Sequence, residues 1–255
     1  MSKKKKAKRK KTKQKKGRKK VGKNMYQEFG ITEELEKLAS TVEEKIKPEL
    51  EQIRQRAQKN SLKILKAFQK YHVAEVHFNT TTGYGYGDIG RDTIEQIYAE
   101  VLKAEDALVR TQIISGTHAL TVCLFGLLRP GDTVLSISGK PYDTLDSVIG
   151  IEENESSLKS FGVQYEQIDL QGNDFDIEAI KNRLAKNDIK LVIMQRSRGY
   201  ALRDSLSIAQ IEDVVKEIRK VNQNVMIMCD NCYGELVEEK EPLEAGVDII
   251  VRLIN

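Results

Sequence analysis

The chain has 255 residues, 40% of them hydrophobic, and a formal net charge of +4. That is enough for one large or two small domains with an ordinary core, and no apolar run approaches the roughly 20 residues of a membrane-spanning helix. The charge is uneven: residues 1–23 carry 15 Lys or Arg and no acid, leaving 27 basic against 38 acidic residues in the rest. Three cysteines are too few for a disulfide framework, and no apolar leader opens the chain, so a cytoplasmic protein is expected.

The opening MSKKKKAKRKKTKQKKGRKKVGKN cannot bury a core and reads as a disordered basic tail over residues 1–24. It is either a solubilising extension or a weak, salt-sensitive nucleic-acid arm. Thr32 then suits a helix N-cap, with Glu33 and Glu34 at the positive end of the dipole. Leu35, Leu38, Val42, Ile46, Leu50 and Ile53, followed by Leu62, Leu65 and Phe68, recur at helical spacing to about Tyr71. Pro48 should kink or break that helix. Residues 25–75 thus form an N-terminal helical segment, a packing or dimer-contact element, ahead of a large domain over 76–255.

VAEVHFN reads as a short strand or extended segment. Gly85 to Gly90 match G-x-G-x-x-G, but a dinucleotide fold needs a strand just before the glycines and an acid after the next strand. Glu105 and Asp106 come too early for that, so the glycines with Tyr84 and Tyr86 suit an adaptable loop. A helix over 93–104 follows. Residues 107–128, ALVRTQIISGTHALTVCLFGLL, read as a strand over 108–114, the turn Ser115-Gly116-Thr117-His118, and an apolar, buried helix. Such a turn leaves backbone N–H groups pointing one way, a ready anion site.

Strands over 133–138, 163–170, 189–195, 225–229 and 248–253 then alternate with helices over 143–148, 176–185 and 207–221. This pattern predicts an α/β fold, a mostly parallel sheet flanked by helices, with ligands beyond the C-terminal strand ends. Asp230 falls there, after an apolar strand, and needs a cation or hydrogen-bond donors. A protonated ring nitrogen would serve, and so would a backbone cap. Tyr142 can stack on a flat ring or simply pack. Arg196 and Arg198 can grip a carboxylate or form surface ion pairs. The lone C-x-x-C at Cys229 and Cys232 cannot supply four zinc ligands, and no metal site is expected.

GYGYGDIGRDTIEQIYAEVLKAEDALVRTQIISGTHAL, SGKPYDTLDSVIG, QRSRGY and DNCYGELVEEKEP together resemble the methionine gamma-lyase-like family, also called aluminium resistance proteins, over about residues 26–250. The resemblance implies the large domain of a fold-type-I enzyme using pyridoxal 5'-phosphate. Ser115, Gly116 and Thr117 would hold the phosphate. Tyr142 would stack on the pyridine ring, Asp230 would pair with its nitrogen, and Tyr233 could reach its hydroxyl. Tyr84, Tyr86 and Arg91 are candidates for the loop that a neighbouring subunit contributes in related lyases, which implies a homo-oligomer, although the spacing differs. Arg196 and Arg198 are the candidates facing substrate. The implied activity is carbon–sulfur elimination from a sulfur amino acid.

One departure stands out. The family's Schiff-base lysine follows GVDII, where this sequence reads VRLIN. The expectation is therefore a truncated or frame-shifted copy, incomplete at the C-terminus and lacking the small domain. Such a copy would have no covalent cofactor attachment and no catalysis. A non-catalytic fragment that binds pyridoxal phosphate or a partner, and nucleic-acid binding through the tail, are the alternatives.

Overall fold

The structure, a computed structural model, describes residues 25–252, so the expected basic tail and the Leu253-Ile254-Asn255 stretch lie outside the described residues. The chain divides into two compact units, one up to Arg54 and the other from Gln55 onward. The first unit holds α1 (Met25–Glu28) and the start of α2 (Glu33–Lys70), which continues into the second. The expected cap is present, since Leu35 N donates to Thr32 Oγ1 at 3.3 Å. Pro48 does not break α2, which runs through it. Proline removes a single helical hydrogen bond there, and on an exposed helix its ring meets no neighbouring element.

The second unit holds the sheet. Its helices are α3 (Ile89–Leu102), α4 (Gly116–Leu127), α5 (Asp146–Ile149), α6 (Ile177–Leu184) and α7 (Ile208–Val221). Its strands are β1 (Thr133–Ser136), β2 (Gln164–Gln167), β3 (Ile189–Gln195), β4 (Met226–Asp230) and β5 (Ile249–Val251). All pairings are parallel, in the order β2-β1-β3-β4-β5. Side chains of successive residues alternate between two cores. Leu135, Val192, Met194, Ile227 and Cys229 pack with α6 and α7 on one face. Val134, Leu191, Ile193 and Met228 pack with Leu120 and Leu124 of α4 on the other. Both faces are covered, which is why β3 reads as a nearly unbroken apolar run.

Several expected elements differ. Residues 108–114 form no strand; they are irregular, with a turn in which Ile113 N donates to Arg110 O. A strand needs a neighbour to bond with, and here the backbone is held by α3 side chains instead: Val109 N donates to Glu95 Oε1, and Arg110 pairs with Glu95. VAEVHFN likewise contains a single 3-10 turn, Glu75–Phe78, because the His77 ring nitrogen bonds back to Ala74 N at 3.0 Å. Helix α3 starts earlier than expected, at an Asp88 cap that accepts from Arg91 N. Helix α4 is only partly buried: Leu120 and Leu124 are enclosed, whereas Val122 is 44% exposed.

Candidate cofactor site

Of the predicted site residues, Asp230 lines a narrow cleft of about 20 Å³ at the C-terminal strand ends, together with Leu120, Ser136, Pro141, Gln195 and Met228 among others. Helix α4 contributes Leu120 and Leu124 to this cleft. Ser115 is its N-cap and accepts from His118 N at 3.0 Å, so its hydroxyl is partly committed to the helix itself. The Gly116 and Thr117 N–H groups have no acceptor among the described residues, as the first turn of a helix requires. The Thr117 hydroxyl meets the Thr144 hydroxyl at 2.8 Å, which ties this turn to the one that follows Tyr142.

Asp230 closes β4 in the sheet interior, in register with Gln195 on one side and Val251 on the other. Its Oδ1 accepts from Cys232 N at 3.0 Å. Burial raises its pKa, against the hydrogen bonds from Cys232. No Lys, Arg or His lies within ion-pair distance of it among the described residues. Beside it, Gln195 Oε1 is buried without a hydrogen-bond partner among the described residues, and Gln195 N is satisfied by Ser138 Oγ at 2.8 Å. A buried carboxylate with no cationic partner, an orphaned carbonyl oxygen and a helix N-terminus with open donors are groups whose chemistry fits a phosphorylated, protonated pyridine.

Tyr142 stands at the rim, with its ring 5.4 Å from that of Tyr200. The bond to Tyr200 pushes the Tyr142 phenol up to about 12, so it stays neutral. Gly199 lets the loop approach: it has φ +57, and a Cβ there would sit 3.4 Å from Tyr142 Cδ2. Tyr233 is 78% exposed, at φ 66.

The two arginines part company. Arg198 is exposed. Arg196 is 3% exposed, and its guanidinium faces inward. It donates to Asn231 Oδ1 at 3.0 Å, Gly234 O at 2.6 Å, Glu238 Oε1 at 2.7 Å and Leu206 O at 3.2 Å. Asn231 in turn donates to Glu241 Oε2 at 3.0 Å. This buried network braces the loop that carries Tyr233. Arg91 is also engaged locally, with Gly85 O at 2.7 Å and Asp92, while Tyr84 and Tyr86 project into solvent. Gln195, Thr144, Tyr200 and the Asn231–Glu241 pair escaped sequence reasoning. Of these, only Tyr200 carried a local signal, as an aromatic two residues beyond Arg198.

The profile of the methionine gamma-lyase family matches residues 35–254, and the chain belongs to that family. It is 44% identical over 219 residues to YnbB of Bacillus subtilis, itself uncharacterised, covering 85% of this chain and 52% of that one. Among solved structures, a Clostridium acetobutylicum protein assigned as a cystathionine beta-lyase involved in aluminium resistance superposes with a TM-score of 0.84. It shares 44% identity, and the match covers 88% of this chain and 55% of that one. The pyridoxal-5'-phosphate-dependent protein YhfS of Escherichia coli shares the fold, with a TM-score of 0.58 at 19% identity. The fold is that of the fold-type-I enzymes, and the chain spans about half the length of the relatives it matches.

Proposed function

We propose that this chain carries the cofactor-binding half of a pyridoxal-phosphate-dependent carbon–sulfur lyase that acts on sulfur amino acids. The observation behind this reading is Asp230, a buried carboxylate with no cationic partner among the described residues, lining a cleft beside Leu120 and Leu124 of α4. Gly116, Thr117 and the Ser115 cap would hold the phosphate, with the helix dipole favouring its charge. Tyr142 would cover the ring, Tyr233 would meet its hydroxyl, and Asp230 would keep its nitrogen protonated. When bound, the cofactor supplies an electron sink for elimination.

Each side chain has a separate task. Asp230 exchanges an unfavourable solitary burial for an ion pair. Tyr142, neutral at physiological pH, covers a ring face and keeps water from it. Arg198 is the substrate-carboxylate candidate that the geometry leaves accessible, while Arg196 supports the site from below. Tyr84, Tyr86 and Arg91 are offered as the loop that reaches a neighbouring subunit. Among the described residues no lysine lines the cleft, and non-covalent, reversible binding of the cofactor is proposed.

Titration with pyridoxal phosphate and with pyridoxal, followed by tyrosine fluorescence, tests this. The phosphorylated form should bind at least about tenfold tighter, a difference of roughly 1.4 kcal/mol, and borohydride should fix no stoichiometric adduct at one specific lysine. Equal binding of the two compounds, unaffected by Asp230→Asn, would overturn the reading.

A further inference from the structure

The loop from Asn231 to Glu241, directly after Asp230, is held in a strained form. Two of its non-glycine residues have left-handed backbones, Tyr233 at φ 66 and Leu236 at φ 56. Such conformations persist only where the surroundings over-determine them, and they gather at binding and switch sites. Both polar backbone groups of Leu236 are bound by side chains. Its N–H donates to Glu241 Oε1 at 2.7 Å, and its carbonyl accepts from Asn60 Nδ2 at 2.7 Å. Asn60 Nδ2 also donates to the Glu238 carbonyl, at 3.0 Å. On either side of Asn60 along α2, Lys59 Nζ bonds Glu239 Oε1 at 2.6 Å and Lys63 Nζ bonds the Glu239 carbonyl. Arg196 supplies further anchors at Gly234 O and Glu238 Oε1.

Packing does not account for Asn60. It is 2% exposed, on a helix whose other buried residue is Ala67. Asparagine is a poor helix former. Its Oδ1 is buried with no hydrogen-bond partner among the described residues, a cost that an apolar side chain would avoid. What asparagine adds, and an apolar residue cannot, is a pair of donors aimed at one strained segment. Since both partners are carbonyl oxygens, the amide can point only one way.

We propose that Asn60 is a positioning residue for the cofactor site: from α2 it locks residues 236–238, and so fixes where Tyr233 stands relative to Asp230. The inference rests on the reading of Tyr233 as the contact to the cofactor's ring hydroxyl. The link between clamp and site is short. Gly234 N donates to Asn231 O at 2.9 Å, and Cys232 N donates to Asp230 Oδ1 at 3.0 Å. The carboxylate, the tyrosine and the clamped segment therefore share one stretch of backbone. Released from Asn60, Leu236 is free to relax toward an ordinary φ, and Tyr233 moves with it.

Two measurements on the full 255-residue chain test this. In hydrogen–deuterium exchange without cofactor, Asn60→Leu should make the amides of residues 232–240 exchange at least about tenfold faster, with those of β3 and β4 unchanged. In calorimetric titration it should weaken pyridoxal phosphate about fivefold and leave inorganic phosphate within about twofold. In a Tyr233→Phe background the same change should cost less than about twofold, because the group it positions is gone. Asn60→Ser has one donor where asparagine has two, so it should give the same pattern more mildly, and it serves where Asn60→Leu does not fold. Unchanged exchange would overturn the proposal. So would faster exchange with pyridoxal phosphate bound as in the wild type. An equal loss with and without the Tyr233 hydroxyl would reduce Asn60 to general support and overturn it too. A wild type that ignores pyridoxal phosphate would overturn the reading of the site itself, and this inference with it.

Discussion

The hydroxyls of Thr117 and Thr144 meet at 2.8 Å and fasten the first turn of α4 to the short turn behind Tyr142. Two parts of the candidate site, the anion end and the stacking ring, are thereby held at a fixed separation. Thr117→Val removes both the proposed phosphate donor and this tie. We expect it to weaken pyridoxal phosphate about tenfold or more, with Thr117→Ser close to wild type. Comparing binding of pyridoxal phosphate and inorganic phosphate to the two variants checks the assignment.

Asp230 links binding to pH in a definite direction. Burial raises its folded-state pKa, so the folded chain is penalised above that pKa and relieved as pH falls through it. Asp230→Asn should leave the cofactor-free chain at least as stable at pH 7, with a gain on the order of 1 kcal/mol, while weakening cofactor binding. Urea midpoints at pH 7 and pH 5 provide the check: the difference between variant and wild type should shrink at the lower pH. A variant less stable than wild type at pH 7 would show that Asp230 has a cationic partner in the cofactor-free state.

Arg196 and Arg198 should behave oppositely when replaced by glutamine. Arg196 makes four kinds of buried contact, and its loss leaves Asn231 Oδ1 without its donor and Glu238 Oε1 with only Ile208 N. A cost of about 3–5 kcal/mol is expected, and the chain should fail to accumulate folded at 37 °C. Arg198→Gln should change stability by less than about 0.5 kcal/mol. Gly234→Ala repeats the first effect more mildly, since a Cβ there would lie 2.7 Å from Arg196 Nη1.

Arg183 on α6 grips Glu166 of β2 with two bonds, at 2.5 and 2.8 Å, and reaches Asp188 ahead of β3. The guanidinium holds the Glu166 carboxyl below its usual range. Its stabilisation is therefore full above the ordinary Glu value and lost as pH falls through the depressed one. Arg183→Gln should cost about 1 kcal/mol at neutral pH, the pair being partly solvated. That cost should disappear toward pH 3 in acid-unfolding curves.

The sheet was legible because its strands obey simple rules. β3 was expected over the residues it occupies, since an apolar run covered on both faces has few other solutions, and helices were expected over 176–185 and 207–221, where α6 and α7 follow the Asp176 and Ser207 caps. Residues 108–114 look equally strand-like in composition, but composition cannot supply a hydrogen-bonding neighbour, and tertiary context decided otherwise. The site was half legible. Asp230 and the turn at Ser115 announce themselves through position. Arg196 does not, because the acceptors that turn it inward come from residues 206 to 238, well away in sequence. Gln195 hid for the same reason: its orphaned oxygen becomes visible only once Asp230 lies beside it.

Tyr233 adopts a backbone conformation that favours glycine, with φ 66. Replacing it with glycine should therefore stabilise the cofactor-free chain by roughly 1 kcal/mol. A position that would fold better with another residue, and whose side chain is mostly solvent-exposed, is not explained by packing. In a deep mutational scan scored for abundance, residue 233 should tolerate glycine, and the same substitution should be depleted when the score is cofactor retention. The gap between the two scores would measure how far this part of the chain is shaped by what it holds rather than by how it folds.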